Sequence, residues 1–381
     1  MTQFAHDTHK TYLVYEFNTW YNICQPFKNK DYPLNKTFYM EEQERKKFKI
    51  LSIDGGGIRG LIPAKVLMDL EDELKKAEPN RKLYEYFDLI CGTSTGAILA
   101  IGIALGIPAK ELAHFYEENA KAIFPRFVLR CLPRKSRAFV NAIYSNKKLL
   151  KKLKEAYAKA NDGKDPLLND LKTKVCIPTF NGNDGTINVL KTKHHPEYRR
   201  DFKMPAYHAA MASASAPVYF PPHTFSFKNE FGEGTNVNMI DGGVFATNPS
   251  LIGIFEATDK LGIPIADISL LSLGTGQGKQ IIKQSWWQPK SIFYWLFPKP
   301  KLVDLVLDTQ AQITEQYVLF LQRALEKAGQ VFKYLRIQHD MKGDNIDLNA
   351  SKKKHLDRMK AIGEELSKNK MNEILKFLNT K

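Results

Sequence analysis

The sequence predicts an α/β fold of three layers, in which helices cover both faces of a mainly parallel central sheet. Two short apolar runs, 48–53 and 86–91, each end at a glycine-rich turn, and a helical pattern follows each turn. Strands that alternate with helices in this way form parallel sheets covered on both faces. In such sheets the chemistry gathers at the carboxyl ends of the strands, so we expect any site at the glycine turns.

Apolar periodicity defines the individual elements. After the first strand, Ile62, Val66, Leu70 and Leu74 recur every four residues and predict a helix. The second strand leads into a strongly apolar helix. The further predictions are, in order, helices at 109–122 and 146–160, strands at 174–180 and 186–191, a helix at 206–213, a strand ending at Asp241, a helix at 249–261, a strand at 268–273, a helix at 303–328, a strand at 334–338, and one or two helices over 351–378.

The composition is that of a globular protein, with 43% hydrophobic and 25% charged residues in a chain of 381. The uncharged run 89–109 is long enough for a membrane span. A polar turn opens this run and Gly106-Ile107-Pro108 ends it, so we predict a buried helix instead. The first ten residues lack the basic start and the apolar stretch of a signal peptide. We therefore expect a cytoplasmic protein, and export without a signal peptide stays open.

The cysteines argue against a zinc site or a disulfide scaffold. There are four, they lie far apart, and no two form a CxxC pair. They are Cys24, Cys91, Cys131 and Cys176.

The formal net charge is +15, and the excess of basic residues is clustered. Residues 121–154 contain eleven Lys or Arg and no acid, and residues 268–303 contain five Lys and no acid. The second segment includes an aromatic stretch, 285–301, with Trp286, Trp287 and Trp295. Tryptophan with lysine is typical of a membrane-interface anchor. A basic surface of this kind favours an anionic partner, and by charge alone acidic lipid, nucleotide and nucleic acid all fit.

The first glycine turn matches GxGxxG at Gly55, Gly57 and Gly60, between a strand and a helix. This spacing is found in dinucleotide-binding sites, but the acidic residue expected at the end of the next strand is missing. The alternative chemistry is an oxyanion hole, in which consecutive glycine amides at a helix N-terminus stabilise developing negative charge.

The second turn, Gly-Thr-Ser-Thr-Gly at 92–96, has the GxSxG pattern of a nucleophile elbow centred on Ser94. The small flanking residues relieve crowding at a sharp strand-to-helix turn. A serine nucleophile needs a base. None of His208, His223, His339 and His355 sits at a glycine-framed strand end, whereas Asp241 opens the third turn, Asp-Gly-Gly. A Ser94/Asp241 dyad is therefore the favoured pair.

The three turns, in this order, closely resemble the motifs of the patatin-like phospholipase family. Further similarity lies in Ser213–Pro222, before the aspartate, and in Ser272-Leu-Gly-Thr-Gly276, after it. The resemblance runs from about Lys47 to near the C-terminus. Residues 1–46 are therefore predicted to be an N-terminal extension, and residues 47–381 the catalytic domain.

The resemblance implies a serine carboxylic-ester hydrolase of the phospholipase A type, which acts on phospholipids or galactolipids. Ser94 would be the nucleophile, Asp241 the base, and Gly55, Gly56 and Gly57 the oxyanion-hole amides. Arg59 would be a candidate contact to phosphate. No histidine, metal or organic cofactor is implied. A lipid surface, rather than nucleic acid, becomes the expected partner of the basic segments, with peripheral membrane association.

Three alternatives stay open. The chain could be a nucleotide-binding regulatory module, which would tolerate the loss of Ser94. It could be a catalytically silent lipid-binding protein, although Ser94 and Asp241 are both present. It could also be a phospholipase effector activated by a cyclic nucleotide, as some bacterial relatives of the family are.

Overall fold

A computed structural model describes residues 47–125, 142–278, 301–342, 344 and 346–379. Its centre is an eight-stranded sheet, which confirms the predicted α/β class. The strands are, in chain order, β1 (Phe48–Ile53), β2 (Leu89–Gly92), β3 (Lys174–Asn181), β4 (Thr186–Lys191), β5 (His223–Asn229), β6 (Gly232–Asp241), β7 (Ile268–Leu273) and β8 (Lys333–Ile337).

The sheet is mainly parallel, and its order is β5-β6-β3-β2-β1-β7-β8, with β4 paired to β3 outside this path. Strands β3, β2, β1, β7 and β8 are parallel, whereas β4, β5 and β6 form antiparallel pairs. Because Ile53 of β1 pairs with Gly92 of β2, the first two glycine turns leave the same edge side by side.

The antiparallel strand β6 brings Asp241 to this edge by a different route. Strand β3 continues past its pairing with β2, which ends at Cys91 and Cys176. On its β3 side, strand β6 pairs only with this extension, and its last residue, Asp241, faces Thr179. The third turn therefore lies level with the elbow, although its strand runs the opposite way.

Helices cover both faces of the sheet and bury two hydrophobic cores. Along β1, Leu51 and Ile53 belong to the larger core and Ile50 to the smaller one, as expected for a strand buried on both faces. The helices are α1 (Leu61–Ala77), α2 (Thr95–Ala104), α3 (Ala109–Ile123), α4 (Asn146–Lys159), α5 (Ala206–Ser213), α6 (Gly243–Ala246), α7 (Ser250–Phe255), α8 (Lys301–Lys327) and α9 (Lys353–Asn379).

Most predicted elements are confirmed, and the differences are local. The second strand begins at Leu89, because Leu83–Tyr86 forms a 3₁₀ turn before it. The helix expected at 249–261 is α-helical only to Phe255 and continues as the π-helical turn Glu256–Lys260. The hairpin of β5 and β6 was predicted only at its last residues.

The apolar run 89–109 forms β2 and the buried helix α2, so the prediction of a buried helix is confirmed. Within the described ranges, no helix combines the length and apolarity needed to cross a bilayer. In the basic segment 121–154, Lys152 and Lys154 form ion pairs with Glu155 and Asp165. The predicted extension 1–46, residues 126–141 and the aromatic stretch 285–300 lie outside the described residues.

Candidate active site

Ser94 occupies a strained turn between β2 and α2. Its φ is 56°, which is a left-handed backbone conformation that residues other than glycine rarely adopt. Two glycines make the turn sterically allowed. A Cβ on Gly92 would lie 2.2 Å from the carbonyl oxygen of Gly96, and a Cβ on Gly96 would lie 2.1 Å from that of Ile53. This is the geometry of a nucleophile elbow.

Hydrogen bonds from neighbouring elements hold the elbow in place. The Ser94 amide donates to Ser213 Oγ at 2.9 Å, and this hydroxyl donates to the carbonyl oxygen of Pro178 at 2.6 Å. Thr93 Oγ1 donates to the carbonyl oxygen of Ala246 at 2.7 Å. Ser213 was not predicted as a site residue, although it opens the segment Ser213–Pro222 that the sequence comparison singled out.

Asp241 lies at the end of β6 and is 1% exposed. Its Oδ1 accepts a hydrogen bond from the Gly243 amide at 2.7 Å, and its own amide donates to the carbonyl oxygen of Ser215 at 3.0 Å. Burial raises the pKa of Asp241 to about 7, against the lowering effects of the Ser94 hydroxyl and the Gly243 amide. The carboxylate therefore has the basicity of a group that can exchange protons near neutral pH.

The first glycine turn runs beside the elbow. A Cβ on Gly55 would lie 3.3 Å from Ser94 Cβ, so the loop and the serine are in contact. The Gly55 amide donates to the carbonyl oxygen of Thr247 at 2.9 Å. Among the described residues, no backbone acceptor contacts the amides of Gly56 and Gly57. These two amides are thus available to a bound oxyanion, whereas the Gly55 amide is already engaged.

Contacts from the last quarter of the described chain fix the glycine turn. Asp54, which precedes Gly55, is buried and forms a bidentate ion pair with Arg336 of β8 at 2.8 and 2.5 Å. The Ile58 amide donates to the carbonyl oxygen of Leu348 at 2.9 Å. A buried, bidentate Asp–Arg ion pair fixes the orientation of the turn that follows the aspartate.

Helix α8 lies over the same turn. Arg59, the predicted phosphate contact, is 8% exposed and its guanidinium lies 3.6 Å from the Asp308 carboxylate of this helix. A small cavity beside Gly55 is lined on the helix side by Leu307, Asp308 and Ala311. Arg59 therefore faces a carboxylate in the position where an anion would be expected.

The histidines considered as alternative bases are engaged with other groups. His208 and His223 hydrogen bond to each other at 2.9 Å, and both stack on Phe225. Burial lowers the pKa of His208 to about 3 and that of His223 to about 4. His339 contacts Asp344 at 3.3 Å.

One group of side chains in the described region has the composition of a metal site: Cys176, His194 and Glu256, hereafter the Cys176 cluster. Their ligand atoms lie within 4.8 Å of one another. The hydrogen-bonding capacity of His194 and Glu256 is already used, since both imidazole nitrogens and both carboxylate oxygens have partners. These partners are Thr192 at 2.7 Å, Lys191 at 2.5 Å, Tyr198 at 2.5 Å and the His194–Glu256 contact itself at 2.8 Å.

The fold and the site together define an α/β protein with a serine elbow, a buried acid and a glycine turn at one edge of the sheet. Comparison with known proteins narrows this class. The sequence profile described as patatin-like phospholipase matches residues 51–253. The chain belongs to the patatin-like phospholipase family.

Individual relatives are similar over most of their length. The chain is 32% identical to the "cGAMP-activated phospholipase" of Vibrio cholerae serotype O1, over 86% of this chain and 94% of the relative. It is 30% identical to a protein of the same description from Escherichia coli, over 85% and 90%. It is 28% identical to "Patatin-like protein 1" of Arabidopsis thaliana, over 84% and 82%.

Proposed function

We propose that this protein is a serine-dependent lipid acyl hydrolase that cleaves fatty acyl esters of membrane phospholipids or galactolipids. The observation that carries the proposal is the pairing of Ser94, in its strained elbow, with Asp241, whose pKa burial raises to about 7. Membership of the patatin-like phospholipase family supports the lipid substrate.

The chemistry would proceed through an acyl-enzyme. Asp241 accepts the hydroxyl proton as Ser94 Oγ attacks the ester carbonyl, and the resulting oxyanion is bound by the amides of Gly56 and Gly57. The alcohol leaves with the proton from Asp241. Water then attacks the acyl-enzyme, again giving its proton to Asp241, and the fatty acid is released with Ser94 restored.

The remaining predicted residues have narrower roles in this mechanism. Because Gly55 has no side chain, the turn can approach Ser94 closely. The Gly55 amide could donate to an oxyanion only if its hydrogen bond to the carbonyl oxygen of Thr247 were broken. Arg59 would contact a substrate phosphate only after Asp308 is displaced, since the two side chains are now paired.

The test is incubation with mixed phospholipids, galactolipids and neutral esters, with released fatty acid measured by mass spectrometry. We expect fatty acid from wild type and none above background from Ser94→Ala. Ser269→Ala is the matched control, because Ser269 is a buried serine whose hydroxyl has no partner among the described residues. Equal release by wild type and Ser94→Ala would refute the proposal, and release at background by both would leave the silent lipid-binding alternative.

A second candidate is activation by cGAMP. It rests on the two relatives from Vibrio cholerae and Escherichia coli described as cGAMP-activated phospholipases, which this chain covers over 90% or more of their length. The same assay with and without cGAMP tests it. Release that depends on cGAMP and on Ser94 supports an activated hydrolase. Tight nucleotide binding without any Ser94-dependent release would favour the nucleotide-binding module instead.

A further inference from the structure

Helix α8, Lys301–Lys327, has two opposite faces with different environments. One face is buried and includes Leu307, Ala311, Thr314 and Val318, at the spacing of successive helical turns. The other face carries four large apolar side chains that are 41–66% exposed: Leu302, Ile313, Tyr317 and Phe320. At 100° per residue, these four fall within an arc of about 60° on the helix.

The buried face lies against residues next to the proposed active site. Leu307 lies against Gly243, two residues from Asp241, so closely that a Cβ on that glycine would come within 2.5 Å of it. Next along the helix, Asp308 pairs with Arg59, and one turn earlier Asp304 accepts a hydrogen bond from Tyr219 at 3.4 Å. Ser94 itself is only 8% exposed.

Between Leu302 and Phe320, the exposed side chains of the helix are uncharged. The acidic residues of this stretch, Asp304, Asp308 and Glu315, turn toward the body of the protein, where they lie near Tyr219, Arg59 and Arg336. The outward face carries the stripe formed by Leu302, Ile313, Tyr317 and Phe320, together with the uncharged polar residues Thr309 and Gln316. Large apolar side chains exposed together on a protein surface indicate a binding face.

We propose that this stripe is the face on which the protein docks to the surface of a lipid bilayer. The inference rests on the proposed function, because it takes lipid as the substrate. The helix packs beside the proposed site, against Gly243 and Arg59, and the large side chains on its outer side are apolar. The net charge of +15 adds attraction to a bilayer that contains anionic lipid.

The area of the stripe favours a bilayer over a second copy of this chain. A large side chain exposes about 200 Å² when free, so four side chains at these exposures offer roughly 400 Å². A stable dimer buries about 800 Å² on each partner. Insertion of a few apolar side chains into a bilayer has no such minimum, since each contributes in proportion to its own buried area.

The test compares two double variants in vesicle binding. Tyr317→Gln with Phe320→Gln removes the centre of the stripe and keeps good helix formers. The matched control is Ile187→Gln with Phe231→Gln, two apolar residues that are 64% and 71% exposed elsewhere on the molecule. Binding is measured by co-sedimentation with vesicles of phosphatidylcholine and phosphatidylglycerol, and turnover is measured on a soluble p-nitrophenyl ester.

We expect the stripe variant to bind vesicles at least about tenfold more weakly, since each aromatic loses more than the 1.4 kcal/mol that a factor of ten represents. The control pair should bind like wild type, and both variants should turn over the soluble ester normally. An equal loss in both variants, or an equal loss of soluble turnover in the stripe variant, would overturn the proposal. Unchanged vesicle binding by the stripe variant would also overturn the proposal. If that variant instead dissociated a dimer of the wild-type protein, as seen in sedimentation equilibrium, the stripe would be assigned to a second copy of this chain.

These outcomes are separate from the failure of the proposed function. If the soluble ester is not hydrolysed in a Ser94-dependent way, the hydrolase assignment fails, whatever the vesicles show. If it is hydrolysed and the stripe variant still binds normally, only the docking face fails.

Discussion

Two groups of side chains each bring a nucleophilic atom close to groups that can accept its proton. One is Ser94 with Asp241, and the other is Cys176 with His194 and Glu256. The two nucleophiles lie on or directly after neighbouring strands of one sheet. Their surroundings differ. Ser94 follows the end of β2 in a left-handed turn beside free glycine amides. Cys176 lies inside β3, is fully buried, and has a thiol pKa raised well above its usual range by burial.

The carboxylates of the two sites also differ. No cation in the part of the chain that the structure describes hydrogen bonds to Asp241, and burial raises its pKa to about 7. Lys191, His194 and Tyr198 all contact Glu256, and hydrogen bonds from this group hold its pKa at about 2 despite burial. A carboxylate so strongly stabilised in its ionised form is a poor base. On the proposed assignment, backbone strain, free donors and an uncompensated carboxylate are the features that distinguish the Ser94 site from the Cys176 cluster.

The largest expected effect is on the nucleophile itself. Ser94→Ala should reduce hydrolysis of p-nitrophenyl esters to background, because it removes the hydroxyl that would form the acyl-enzyme. Cys176→Ser should leave activity within a few-fold of wild type. A fluorophosphonate probe should label wild type once, at Ser94, as read by peptide mass spectrometry. Labelling at another residue would remove the distinction between the two sites.

The second effect is on the base. Asp241→Asn keeps the shape of the side chain and should lower kcat by at least ~100-fold, the low end for a positioned base. Glu256→Gln makes the same chemical change in the Cys176 cluster and should leave kcat per folded molecule nearly unchanged. Single substitutions of His208, His223, His339 and His355 should retain most activity. A histidine as critical as Ser94 would require a triad in place of the dyad.

The third effect is on pH dependence. Because Asp241 must be ionised to accept a proton and its pKa is about 7, kcat should fall about tenfold per pH unit below pH 7. Burial also raises the pKa of Asp304 to about 6, so Asp304→Asn is the control, and it should leave the limb near pH 7 in place. A wild-type profile that is flat from pH 5 to pH 8 would contradict the assignment of Asp241 as base.

The smallest effect is on stability, and it has opposite signs at the two sites. The folded pKa of Asp241 is raised above its ordinary 3.8, so the stability that this group contributes is full below about pH 4 and is lost as pH rises through 7. Asp241→Asn should therefore increase Tm relative to wild type more at pH 8 than at pH 5. Glu256→Gln should lower stability by ~3 kcal/mol, because it leaves Lys191 without its buried partner. Thermal unfolding at the two pH values measures both, and a loss of Tm in Asp241→Asn at pH 8 would contradict the raised pKa.

The parallel part of the fold was predictable because its signals are local. Apolar runs that stop at glycine define β1, β2 and β7, and four-residue periodicity defines α1. Of the β5–β6 hairpin, only the end of β6 at Asp241 was predicted, although His223, Phe225 and Phe227 alternate with exposed residues along β5. This period-two pattern is the signal of a half-buried strand.

The candidate site also has one part that local sequence patterns predicted and another part that they did not. The three glycine turns indicated Ser94, Asp241 and the amide donors, because each motif lies within a few residues of sequence. The supporting contacts did not follow from any local pattern. Ser213 reaches Ser94 from 119 residues away, and Asp308 reaches Arg59 from a helix that the motifs do not include. Their pairing depends on how helices pack over the sheet, which one sequence does not specify.

The ion pair between Asp54 and Arg336 also affects when the site is finished during synthesis. The two residues are 282 positions apart. At roughly 5–20 residues per second, a ribosome needs about 14–56 s to pass from one to the other. Throughout that interval the glycine turn lacks its guanidinium partner, and the carbonyl oxygen of Leu348 that anchors Ile58 is made later still. The nascent chain therefore carries Ser94 and Asp241 well before these contacts hold the turn, so the proposed site is completed only after Leu348 has been synthesised.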